Sequence, residues 1–276
     1  MINSKTKIAG IFGYPVGHSL SPAMQNAAIT RMGLNFVYLP FTVEPKHLKR
    51  AVDSIKVLGI KGVNVTVPHK EKVIQYLDDV SEEAKKIGAV NTIVNSNGVL
   101  TGHNTDCCGF TKSLKEHINP CGRSVFMLGC GGAAKAIFYA VLNAGIKEIT
   151  VADIDERKAN KLLKSGRGHC KINIAGFRDV GNIFESADIF INATPVGMNE
   201  KDGSPVEKKY LRKNLFIYDV VYNRPTLLSK YAAATGAKYL NGLDMLVYQG
   251  AASFELWFGK KPSLPIMKKT VMEALK

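Results

Sequence analysis

Short apolar runs alternate with longer stretches whose apolar positions recur at helical spacing along most of this chain. That alternation predicts an α/β protein with mainly parallel sheets. Residues 6–13 read as a strand. Ser21-Pro22 then reads as an N-cap with proline at the first helical position, opening a helix that ends near Met32-Gly33. Residues 35–42 read as a strand, 45–58 as a helix and 61–67 as a strand stopped by Pro68. Helical stretches follow through Leu77 and over 81–87. Residues 91–96 and 99–103, joined through Asn97-Gly98, carry the turn signal of a two-residue hairpin.

The character changes near residue 106. A helix to about residue 117 leads into Asn119-Pro120-Cys121-Gly122, which reads as a junction. Strand 124–128, helix 132–144 and strand 148–152 then make a βαβ unit of the expected length, about 30 residues. Further strands are expected at 171–174, 189–192 and 215–219. The tail holds two helical patterns, 242–258 and 265–275, with no strands to form a domain of its own. Met245, Tyr248, Phe254, Trp257 and Phe258 recur there at helical spacing and read as core. The expectation is two domains, residues 1–104 with 240–276 and residues 105–239, with a cleft between them.

Composition adds bounds. The 276 residues are 46% apolar and 22% charged, ordinary for a soluble globular protein. No apolar run approaches the roughly 20 residues of a membrane span. The opening residues lack the features of a signal peptide, so a cytoplasmic protein is expected. Five scattered cysteines form no CxxC pair and read as reduced thiols, with neither a disulfide framework nor a metal site expected. The formal net charge of +14 raises the question of nucleic acid. The lysines are dispersed along helix faces with no arginine-rich tract, which points instead to a solvated basic surface. Such a field also favours capture of anionic substrates and cofactors.

Chemistry concentrates in a few segments. Gly129-Cys130-Gly131-Gly132-Ala133-Ala134 follows a predicted strand and opens a predicted helix, the context of a dinucleotide loop. There the first glycine permits the turn, the second admits a pyrophosphate, and the small Ala134 allows close helix–strand packing. The helix N-terminus offers free N–H groups to phosphate. Asp153 ends the next strand, where a carboxylate can either bind an adenosine ribose or cap the following helix. Lys70 and Asp106 stand at the ends of β-prone runs, in Asn64-Val65-Thr66-Val67-Pro68-His69-Lys70 and Asn104-Thr105-Asp106. An amine and a carboxylate near a dinucleotide loop suit reversible hydride transfer to a polar carbonyl. Asp106 alone reads equally well as an N-cap. Ser19, Ser21, Asn64, Thr66 and Asn91 add hydrogen-bonding groups at predicted strand–helix junctions, which face the binding crevice of an open α/β sheet. His18, His69 and His103 lack a convincing partner spacing and read as packing or rim residues.

Together these stretches resemble the shikimate dehydrogenase family, including its quinate/shikimate members. The resemblance also rests on Ser19-Leu20-Ser21-Pro22, Gly88-Ala89-Val90-Asn91-Thr92, Asn192-Ala193-Thr194-Pro195 and Gly242-Leu243-Asp244-Met245-Leu246-Val247-Tyr248-Gln249, and covers nearly the whole chain. It implies a substrate domain with an α/β fold, a Rossmann domain, and C-terminal helices returning to the first. It implies that Ser19 and Ser21 bind a substrate carboxylate, and that Asn64, Thr66, Asn91, Asp106 and Gln249 hold ring hydroxyls, with Tyr222 also reaching the substrate. Lys70 and Asp106 would be the catalytic pair. Gly129, Cys130, Gly131, Gly132 and Ala133 would contact the cofactor, as would Ala152, Asp153, Ile154, Asp155, Glu156, Arg157, Val220 and Gly242, and Glu82 stands at a further position linked to it.

The implied reaction is reduction of 3-dehydroshikimate to shikimate with NADP or NAD and no metal. The partner is that small molecule, and the chain a monomer or homodimer, binding neither nucleic acid nor membrane. NADP-using members carry Asn-Arg-Thr after the second Rossmann strand, whereas this chain has Ala152-Asp153-Ile154, which leans toward NAD. Cys130 replaces the family's usual alanine. The rival readings are an NAD-linked quinate dehydrogenase, a relative that binds dinucleotide without turnover or acts on an amino analogue of shikimate, and a basic nucleic-acid-binding protein.

Overall fold

A computed structural model describes residues 2–166, 168, 170–176 and 180–276. In chain order the elements are β1 (Lys7–Gly13), α1 (Ser21–Arg31), β2 (Phe36–Thr42), α2 (Leu48–Val57), β3 (Gly62–Val65), β4 (Asp79–Val80), α3 (Glu82–Ile87), β5 (Thr92–Ser96) and β6 (Val99–His103). After α4 (Asp106–Lys115) come β7 (Ser124–Leu128), α5 (Gly132–Asn143), β8 (Glu148–Ala152), α6 (Glu156–Ser165), β9 (Lys171–Ile174), α7 (Val180–Ser186) and β10 (Ile189–Asn192). The chain closes with β11 (Phe216–Asp219), α8 (Leu227–Thr235), β12 (Lys238–Asn241), α9 (Leu243–Phe258) and α10 (Leu264–Ala274). These form two compact units, one of Met1–Gly109 with Val247–Lys276, the other of Phe110–Leu246. Both divisions fall inside helices, α4 and α9.

The first unit holds a sheet in the order β2-β1-β3-β5-β6-β4. Its pairings are parallel except where β5 meets β3 and β6. Apolar strands that lie inside a sheet read as continuous runs, and β3 is buried at every position. Its core joins Phe12, Val63, Val65, Ile93 and Leu100 to Leu48, Val52 and Ile55 of α2. Asn97 and Gly98 both take positive φ, 53° and 90°, as a type I′ turn requires between β5 and β6. The α9 helix is fastened to this sheet by the Trp257 indole, which donates to the Ile93 carbonyl at 3.0 Å.

The second unit has six parallel strands in the order β12-β11-β10-β7-β8-β9. Numbered from β7, this is the dinucleotide-binding order, reversing between β7 and β10. Phe126, Phe184 and Phe190 pack edge-on and tilted at 5.0–5.6 Å in its core. Among the described residues no helix is long and apolar enough to cross a membrane.

Local details depart from the sequence expectation. Ser21 is not the cap of α1 but its first residue, preceded by Leu20, with no side-chain cap bond. The helix expected over 45–58 begins as a tight 3₁₀ turn, Pro45–His47. Strands β4 and β12 were not anticipated. The first has two residues, and the second is a half-buried edge without an apolar run.

Candidate active site

Asn104 opens α4. Its Oδ1 accepts from the Cys107 N–H at 3.2 Å, while its Nδ2 donates to the Ala89 carbonyl at 2.9 Å. With capping done by Asn104, the carboxylate of Asp106 is left for other work. Lys70 sits in the turn after β3, its carbonyl accepting from the Val90 N–H at 2.8 Å. That bond brings it beside Asn91. The Lys70 ammonium donates to Asp106 Oδ2 at 2.5 Å, with side chains only 13% and 8% exposed.

The remaining Asp106 oxygen accepts from Asn91 Nδ2 at 2.9 Å. The same amide reaches Thr105 Oγ1 at 2.9 Å and Gln249 Oε1 at 3.4 Å. On its other side, Asn91 Oδ1 accepts from the Thr105 N–H at 2.7 Å and from Thr92 Oγ1 at 3.0 Å. Asn64 Nδ2 extends the network to the Asn91 carbonyl and to Thr92 and Ser253 hydroxyls at 2.9–3.1 Å. Buried polar groups in a low-dielectric setting hold their geometry when every member is paired. This cluster therefore presents a fixed ammonium, a carboxylate and amide groups as a rigid set.

Nearby on the chain, Ser19 Oγ accepts from the Ser21 N–H at 3.3 Å at the start of α1, where the helix dipole favours an anion. Thr66 is half-buried at the end of β3, its methyl against Gly13. His69 is fully buried, and its Nε2 donates to the Val43 carbonyl at 2.7 Å. Burial holds its imidazole below the ordinary range, in keeping with a packing role. Glu82 stands apart from this cluster. It is exposed in the first turn of α3 and paired with Lys85 at 2.8 Å.

In the second unit the loop after β7 is tied at both ends. The Gly129 N–H donates to the Ala152 carbonyl at 2.8 Å, and φ is +99°, where a Cβ would lie 2.8 Å from the Ala193 carbonyl oxygen. Only glycine fits there. Gly131 precedes α5 with extended backbone, and among the described residues nothing lies within 4 Å of where its Cβ would be. That open space in front of a helix N-terminus suits a pyrophosphate. Gly132 and Ala133 begin the helix.

Asp153 does not cap α6. Its carboxylate accepts from the Cys130 N–H at 2.7 Å and the Asp155 N–H at 2.8 Å, joining the two loops. Asp155 caps α6 instead, accepting from the Arg157 N–H at 3.1 Å and pairing with the Arg157 guanidinium. Ala152 is buried, whereas Ile154 and Glu156 are exposed. The Cys130 thiol is buried and pushed up to about 12, chiefly by desolvation, so it is neutral and inert.

Val220 and Gly242 meet at the ends of β11 and β12, where a Cβ on Gly242 would lie 2.2 Å from the Val220 carbonyl oxygen. Tyr222 follows in the same loop, its phenol pushed up by burial. Sequence reasoning missed the residues that hold these pieces. Asp219 is fully buried and accepts from Asn192 Nδ2 (2.9 Å), the Val221 N–H (3.1 Å), Thr226 Oγ1 (3.0 Å) and the Tyr239 hydroxyl (3.0 Å). In the first unit Tyr38, Thr92, Thr105 and Ser253 were missed likewise. A polar residue inside an apolar run was the available signal for Asp219 and Tyr38.

Comparison with known proteins identifies the family. The model of the shikimate dehydrogenase substrate binding domain matches residues 11–93, and that of the shikimate 5'-dehydrogenase C-terminal domain matches residues 242–272. A shikimate dehydrogenase (NADP(+)) of Caldanaerobacter subterraneus subsp. tengcongensis is 47% identical over 264 residues, 94% of each chain. The crystal structure of shikimate dehydrogenase from Aquifex aeolicus superposes with a TM-score of 0.92 at 39% identity, covering 98% of this chain and 99% of the other. Quinate dehydrogenase from Corynebacterium glutamicum, solved in complex with NAD, gives 0.90 at 33% identity, covering 97% and 99%. At such identity over nearly the full length of both chains, this protein belongs to the shikimate dehydrogenase family.

Proposed function

We propose that this chain reversibly reduces 3-dehydroshikimate to shikimate with a nicotinamide dinucleotide, its first unit binding substrate and its second the cofactor. The observation that carries this reading is the buried Lys70–Asp106 pair inside a closed network of amides and hydroxyls. A sugar-like ring with several hydroxyls needs such a set of fixed donors and acceptors. A nonspecific polyanion does not.

When bound, the nicotinamide supplies or accepts the hydride. The chain's own residues manage the proton and the orientation. Lys70, as ammonium, gives a proton to the oxygen of the ring carbonyl and takes it back in the reverse direction. Asp106 keeps the amine in place through Oδ2 and is itself held by Asn91 through Oδ1. Asn64, Thr66, Asn91, Asp106 and Gln249 receive the ring hydroxyls, and Ser19 and Ser21 the carboxylate. In the second unit the open space at Gly131 and the loop Gly129–Ala133 fit a pyrophosphate, with Ala152–Arg157, Val220 and Gly242 around the remainder.

Cofactor preference turns on Asp153. With Cys130 and Asp155 N–H groups on its two oxygens, the carboxylate still has lone pairs for ribose hydroxyls, and its charge repels a 2′-phosphate. Of the nearby cations, Arg157 is engaged by Asp155, while Lys158 acts electrostatically on Cys130 and Asp155. This favours NAD, and with it a second reading, an NAD-linked dehydrogenase that also accepts quinate. Initial rates of shikimate and quinate oxidation with NAD and NADP in turn decide between them. No turnover of either substrate with either cofactor sinks both.

A further inference from the structure

Strand β2 lies at the edge of the first unit's sheet and, among the described residues, pairs only with β1. An edge strand leaves main-chain groups without a ladder partner. At Tyr38 one side chain takes both groups. The Asn26 amide, on α1, accepts from the Tyr38 N–H at 2.9 Å and donates to the Tyr38 carbonyl at 2.9 Å. The ring is 1% exposed and tilted against Trp257, centroids 5.9 Å apart. Held this way, the phenol donates to Asn64 Oδ1 at 2.7 Å.

The orientation of the Asn64 amide follows from its neighbours. One end faces the Asn91 carbonyl oxygen at 3.1 Å, a group that only accepts, together with the Thr92 and Ser253 hydroxyls. That end is therefore the NH₂, and its two protons are spent within the protein. The other end, Oδ1, accepts among the described residues only from Tyr38, which leaves it one lone pair.

We infer that Tyr38 is a positioning and specificity-determining residue that presents Asn64 to the substrate as an acceptor. This rests on the reading of Asn64 as a substrate contact. At Asn64 the site selects a group that donates, an alcohol, over an ether, halide or ketone, which would set lone pair against lone pair.

Tyr38→Phe keeps the ring and removes the hydroxyl. The KM for shikimate should rise about tenfold, while kcat and the dinucleotide KM stay within about twofold. Added to Asn64→Ala, the same change should cost little more, because both act through one contact. A merely structural role would move all three constants and the effects would add. Trp257 is the only tryptophan, so its fluorescence reports whether local packing is kept. Asn26→Ala frees the Tyr38 main chain while sparing its hydroxyl, and should raise the same KM; it decides the matter if Tyr38→Phe does not fold. A folded variant with shikimate KM within about twofold of wild type overturns the inference. If wild type fails to turn over shikimate, the functional reading falls and takes this inference with it. An active wild type with an unaffected variant sinks the inference alone.

Discussion

Lys70 and Asp106 lie 36 positions apart in the chain and 2.5 Å apart at their charged ends. Removing such charges from water is costly unless the remaining hydrogen-bonding capacity is also met. Asn91 meets it at Asp106. The pair is therefore a constructed feature of the first unit, not an incidental surface contact.

The amine should be needed for chemistry more than for binding. General acid–base help is worth roughly 10²–10⁴ in rate, so Lys70→Ala should lose about that much turnover with a small change in shikimate KM. Steady-state kinetics check this. A variant keeping more than about half the wild-type rate removes Lys70 from the mechanism.

Two glycines should fail in different ways. Gly131→Ala meets no neighbour among the described residues, so unfolding temperature should hold while the dinucleotide KM rises at least about tenfold. Gly242→Ala drives a methyl into the Val220 carbonyl and should destabilise the second unit by about 1–3 kcal/mol. Thermal unfolding and dinucleotide titration of both variants separate the effects. A fully functional Gly131→Ala argues against phosphate approach at that loop.

Asp153 should set the cofactor ratio. Asp153→Asn removes the negative charge but keeps only one carbonyl oxygen for the Cys130 and Asp155 N–H groups. Efficiency with both cofactors should drop, and the NADP/NAD ratio of kcat/KM should rise by about tenfold. An unchanged ratio places cofactor choice elsewhere.

Asp219 should tilt stability with pH. Burial raises its carboxyl above the ordinary carboxylate range, against the opposing pull of its hydrogen bonds. With the folded value raised, the unfolded chain loses its proton first as pH climbs. The contribution is then complete below the unfolded value, about 4, and is lost as pH rises through the folded one. Urea unfolding of wild type and Asp219→Asn from about pH 4 to about pH 7 should show the wild type losing ground to the variant. A gap that stays flat or moves the other way contradicts this.

Much of the architecture was legible residue by residue. Strands β7 and β8 have the expected bounds, because each is a short apolar run set off by polar or glycine-containing segments. The β5–β6 hairpin followed from Asn97-Gly98, whose left-handed backbone few other pairs tolerate. Strand β12 was not legible, since an edge strand with intermediate burial leaves no periodic signature. In the site, Lys70 and Asp106 stood out through motifs. Thr105 and Ser253, whose hydroxyls meet at 3.0 Å, were silent, because either residue alone is commonplace.

The sequence by itself determined the alternation of strands and helices, the glycine loop and the family, since these depend on local periodicity, backbone freedom and motif order. Tertiary structure alone decided that Asn104 rather than Asp106 caps α4, that Asp155 rather than Asp153 caps α6, and that Tyr38 reaches Asn64. Which donor meets which acceptor depends on groups brought together from distant parts of the chain, and no spacing rule along one segment encodes that meeting.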